Sequence, residues 1–155
     1  MKVRKILAPT DMSDFSSVGV RYALELAREL GAEIMIYYVI PMGDDWFAGH
    51  ERPGPVRDLL ANEEVSLDKF LAERFADDTK AVKIRQRVEF GAPQTSIVDM
   101  AEREGSDLIV MSTHGRTGLS HILLGSVTEK VVARAPCPVL AIPSHGRSST
   151  TTRAA

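Results

Sequence analysis

Cysteine is nearly missing from this chain of 155 residues: Cys137 stands alone, which excludes an internal disulfide and a cysteine-rich zinc site. Aromatic residues are scarce at 6%. Long apolar runs are lacking too, since stretches such as Leu108–Met111 and Val139–Ile142 are far shorter than the about 20 residues of a membrane helix. The basic start Met1–Lys5 leads into Ile6-Leu7-Ala8, but Pro9-Thr10-Asp11 ends that run well short of the apolar core of about 7–15 residues that a signal peptide needs. The expectation is a cytoplasmic protein with no membrane partner. A strong net charge is also absent, and a balance of −2 argues against a general nucleic-acid binder. Two nucleotide motifs are missing as well. The position where a dinucleotide fold carries G-x-G-x-x-G reads Pro9-Thr10-Asp11-Met12-Ser13, and no G-x-x-x-x-G-K-[ST] occurs, which removes the support for hydride transfer and for P-loop hydrolysis.

The chain does hold 44% hydrophobic and 26% charged residues, the balance of an ordinary globular domain, and its length suits a single one. Its charges are unevenly spread. Residues 1–111 hold 14 Lys or Arg against 20 Asp or Glu, whereas residues 112–155 hold 5 against 1. Either this is a basic tail or something anionic sits on the last third.

Apolar periodicity alternates between two kinds. Val3–Ala8 suits a buried strand that stops at Pro9, and Ser13 then caps a helix whose apolar residues Val20, Ala23, Leu24, Ala27 and Leu30 end at Gly31. Ile34–Ile40 reads as a buried strand ending at Pro41, Met42–Val56 as a surface loop, and Arg57 to about Asp77 as a helix with Leu60, Leu67, Leu71 and Phe75 on one face. Val82, Ile84, Val88 and Phe90 alternate as in a strand near a sheet edge. Pro93 opens a helix that Gly105 stops, and Leu108–Met111 is an apolar strand. A glycine-bearing loop, a helix over Ser126–Arg134 and a last strand at Pro138–Ile142 follow. Strands alternating with helices require parallel pairing, which predicts a single-domain α/β fold: a doubly wound five-stranded parallel sheet with helices on both faces. The domain is expected to span residues 1–143 and the polar tail 144–155 to be disordered. Such sheets bind ligands beyond the carboxyl ends of the strands, at Pro9–Ser13, after Val39, and at Ser112–Ser126.

The last of these loops has the composition of an anion site. Ser112-Thr113-His114-Gly115-Arg116-Thr117-Gly118 leaves a buried strand, and Gly125-Ser126 lies where a helix begins, so backbone N–H groups, a hydroxyl and a guanidinium converge. A tight turn with a helix cap has the same composition. His114 and His121 suggest catalysis, but no nucleophile is placed beside them, and a turn-stabilising role suits them better.

Taken together, Ile6–Asp11, Val88-Glu89-Phe90-Gly91 with Pro93, Asp107–Gly118, Leu123–Val132 and Ala135–Leu140 resemble the universal stress protein family, in its nucleotide-binding branch, over Val3–Pro143. Gly115, nine intervening residues and Gly125-Ser126 fit that family's pattern G-2x-G-9x-G-[ST]; the first position departs from it, with Ser112 in place of glycine. The resemblance implies ATP as the ligand, with or without Mg²⁺ held through its phosphates. It places Ala8, Pro9, Thr10, Asp11, Val39 and Met111 at the nucleoside end and Ser112, Gly115, Arg116, Gly125, Ser126 and Val127 at the phosphates. Asp11 then bonds the adenine or ribose, or caps the helix beside Ser13. It also implies a homodimer through the edge strand Pro138, Val139, Leu140, Ala141 and Ile142, and a stress-response role without strong catalysis. A nucleotide-free dimeric adaptor and a slow ATPase are the alternatives.

Overall fold

The computed structural model describes residues 1–42, 53–114 and 124–144, with side chains from residue 56 onward in the middle stretch. Among these, strands and helices alternate as β1 (Lys5–Pro9), α1 (Asp14–Leu30), β2 (Glu33–Pro41), α2 (Pro53–Arg74), β3 (Ile84–Gly91), α3 (Pro93–Glu104), β4 (Leu108–Ser112), α4 (Ser126–Arg134) and β5 (Val139–Ile142). Every pairing is parallel and the order is β3-β2-β1-β4-β5, the doubly wound α/β sheet expected.

Alternation along the strands sorts the core into two layers. Ile34, Ile36, Tyr38 and Ile40 of β2 face α1 and α2, where Leu24, Leu67 and Phe75 are buried. Met35, Tyr37 and Val39 face α3 and α4, against Ile97, Met100 and Val131. α1 ends where Gly31 takes a left-handed conformation at φ 64°, as does α3 at Gly105, so both glycines stop helices for the reason their positions predict.

The strand order reverses between β1 and β4, and there the sheet splits. β1 pairs with β4 only at Ile6↔Leu108 and Leu7↔Ile109, whereas its pairing with β2 continues to Pro9↔Tyr37 and that of β4 with β5 to Ser112↔Ile142. Beyond Leu7 the two central strands therefore part. This explains why β1 continues through Pro9 rather than stopping before it: at that position no β4 neighbour requires the N–H that proline lacks.

Other boundaries also move. α2 starts at Pro53, inside the stretch expected to be loop, because proline is accepted in a first turn where the N–H has no helical partner. Residues 43–52 of that loop lie outside the described residues. α2 ends at Arg74, short of Asp77, although Phe75 N still donates to Leu71 O at 2.9 Å. Ser112 belongs to β4 and not to the loop after it. Ser144, assigned to the tail, exchanges hydrogen bonds of 3.3 Å with His114 N and O; residues 145–155 are outside the described residues.

Candidate functional site

The split between β1 and β4 opens into a cavity of about 310 Å³ at the carboxyl end of the sheet, within the range of about 300–1,000 Å³ usual for small-molecule sites. One wall is apolar, built by Pro9, Tyr37, Val39, Ile97 and Met111. The start of α4 lines it as well, with Gly125, Ser126, Val127 and Thr128.

That helix start is shaped by Gly125. Its N–H donates to Thr113 O at 2.7 Å, and a Cβ there would stand 2.8 Å from the same oxygen, so only glycine permits this approach. The ladder of α4 begins with Glu129 N donating to Gly125 O at 2.9 Å, which leaves the N–H groups of Ser126, Val127 and Thr128 ahead of it. α1, by contrast, is capped by the Ser13 hydroxyl, which accepts from Ser16 N at 3.1 Å, whereas no side chain caps α4 at Gly125. The positive end of the α4 dipole thus borders the cavity.

The buried polar side chains of the described residues are Thr10, Ser16, Ser112, Thr113, His114 and Thr128, and all six line this cavity. They are bonded to one another and to backbone. Thr10 Oγ1 and Ser16 Oγ lie 2.9 Å apart, Thr113 Oγ1 and His114 Nδ1 3.0 Å, and the Thr128 hydroxyl donates to Ser112 O at 3.0 Å. Desolvated hydroxyls need partners, so a floor of this kind is fixed in shape.

The apolar wall is held from behind. Tyr37 is fully buried, and its hydroxyl donates to Glu89 at 2.9 Å; burial and that carboxylate push the phenol far above its ordinary range. Burial works to raise Glu89, but hydrogen bonds from Arg103, Tyr37 and Arg87 outweigh it and hold the carboxyl below its usual value.

Of the residues singled out in the sequence, Pro9, Thr10, Asp11, Val39, Met111, Ser112, Gly125, Ser126 and Val127 surround the cavity. Ala8 does not: it is fully buried beside Ile6 on the α1 layer, because adjacent strand residues point to opposite faces. Asp11 Oδ1 accepts from Ser13 N at 3.0 Å, so it buttresses the helix cap while lining the cavity. Gly115, Arg116 and His121 lie outside the described residues. Tyr37, Ile97, Ser16 and Thr128 were missed. Tyr37 shares the face of Val39 two residues away, and Thr128 falls in the first turn after Gly125, so both periodicities pointed to them.

The universal stress protein family matches residues 2–143. A universal stress protein of Methanocaldococcus jannaschii is 39% identical over 143 residues, covering 90% of this chain and 81% of the relative. Universal stress protein UspA from Lactobacillus plantarum superposes with a TM-score of 0.74 at 28% identity, over 92% of this chain and 99% of that one. A universal stress protein solved in complex with cAMP superposes with a TM-score of 0.61 at 26% identity, over 93% and 99%. With the family spanning all nine elements, this chain belongs to the universal stress proteins.

Proposed function

We propose that the chain binds an adenine nucleotide in this cleft, with ATP as the ligand, and acts as a nucleotide-dependent stress or signalling protein. The observation that carries the reading is the cavity's two-ended chemistry: an apolar slot for a base at Pro9, Val39 and Met111, and the N-terminal turn of α4 at Gly125 for phosphates. The cAMP complex of a relative supports the adenine part. Asp11, the carboxylate among the described lining residues, suits a ribose hydroxyl, and Mg²⁺, where present, is carried by the phosphate oxygens.

The same reading makes the protein a homodimer through β5. Val139, Leu140, Ala141 and Ile142 form an uncharged edge strand with Leu140 39% exposed, and Pro138 leads into it; pairing with a second copy closes that edge. Calorimetry tests the central claim. One ATP per chain is expected, with adenosine binding more weakly; failure to bind either leaves the nucleotide-free adaptor as the function.

A further inference from the structure

Where the family pattern opens with glycine, this chain has Ser112, and its hydroxyl turns toward α1. Oγ accepts the Gly19 N–H at 2.9 Å and donates to Ser16 O at 3.3 Å. In a regular helix those two groups also serve Phe15 O and Val20 N, so the serine bonds to two ladder groups of α1 at its second turn. The Ser112 carbonyl meanwhile accepts the Thr128 hydroxyl of α4 at 3.0 Å. One residue thus ties β4 to both helices whose starts border the cleft.

The fit is reciprocal. A Cβ on Gly19 would stand 2.6 Å from Ser112 N and 2.9 Å from its Oγ, so α1 lies this close to β4 only because residue 19 is glycine. Ser112 itself pays no backbone penalty, because it lies in β4 and does not take the positive φ that Met12 does. From Ser16 the chain of contacts continues to the Thr10 hydroxyl, which also accepts from Met12 N at 3.0 Å in the corner that carries Asp11.

We propose that Ser112 is a positioning residue for the nucleoside end of the cleft: its hydroxyl fixes α1 along β4 and thereby sets the Thr10–Ser13 corner. The functional half of this inference rests on the adenine-nucleotide reading, and the tie itself does not. Ser112→Ala and Ser112→Gly test it, the latter restoring the family's residue and adding no bulk.

Amide hydrogen exchange at Gly19 should speed up by about tenfold in both variants, the size of one lost buried hydrogen bond. Adenosine and ATP should weaken by the same factor, about fivefold, because the lesion acts where both ligands are alike. Gly125→Val, at the phosphate end, should cost ATP more than adenosine. Unchanged exchange at Gly19 would refute the tie. Faster exchange with wild-type adenosine affinity, measured well below the melting temperature, would refute the positioning role. A wild type that binds neither ligand overturns the nucleotide reading and the positioning role with it, while exchange at Gly19 still decides the tie.

Discussion

At the amino end of the strands, Asp107 accepts the Arg4 and Lys5 amides at 2.8 and 3.0 Å, Glu33 pairs with Lys83 and Arg85, and Arg85 reaches Glu104 at 2.7 Å. At the carboxyl end the same sheet presents hydroxyls, the first-turn N–H groups of α4 and an apolar slot, with Asp11 as the charged side chain among the described lining residues. The amino end gives Asp107, Glu33 and Glu104 partners from within the fold. The carboxyl end satisfies its hydroxyls internally but holds the start of α4 open, an arrangement that suits a ligand bringing its own negative charge. The contrast separates residues that keep the fold from residues that line the proposed ligand site.

Gly125→Val should give the largest effect, a loss of ATP affinity of about a hundredfold or more, since the start of α4 must move away from Thr113 O and carry its phosphate donors with it, and hydrogen bonds to charged groups are worth about 1.5–3 kcal/mol each. Its Cβ has no room against Thr113 O, which is backbone and cannot rotate away. An ATP affinity equal to wild type by calorimetry would put the site elsewhere.

Leu140→Lys comes next and lies at neither end. On the proposed β5 interface it should give a monomer in light scattering where wild type gives a dimer, because a charge replaces an apolar side chain on the β5 edge, while ATP affinity stays within about twofold of wild type. A dimer that survives the substitution would contradict the edge-strand interface.

The smallest effect is expected at the amino end, from Asp107→Asn. The Arg4 and Lys5 amides hold the Asp107 carboxyl below its ordinary range, so the stability it confers is present above the unfolded value of about 3.9 and is lost as pH falls through the lower folded value. Melting curves of wild type and variant should therefore differ at pH 7 and converge in acid, with ATP binding at pH 7 unchanged. A gap that persists at the lowest pH would assign the stabilisation to something other than ionised Asp107.

Much of this was legible in the sequence because local chemistry dictates it. Ser13, Gly31, Pro93 and Gly105 mark helix ends through caps and left-handed turns, and the structure uses them so. Gly125-Ser126 marked the start of α4 for the same local reason. Features that depend on contacts between distant elements were not legible. The resemblance assigned Ala8 to the cleft, but strand parity turns it to the other layer. Nothing in the helical pattern marks Gly19, and its approach to β4 explains it. The start of α2 was misplaced because Pro53 and Pro55 resemble a loop unless the helix is known to begin with them.

The most direct test is an NMR titration of the wild-type protein with ATP, followed residue by residue at the backbone amides. Shifts concentrated at Thr10–Ser13, Val39 and Ser126–Thr128, with Glu33, Lys83–Arg85 and Asp107 unmoved, are the predicted result. Shifts centred on the amino end of the strands, or none at saturating ATP, would contradict the account.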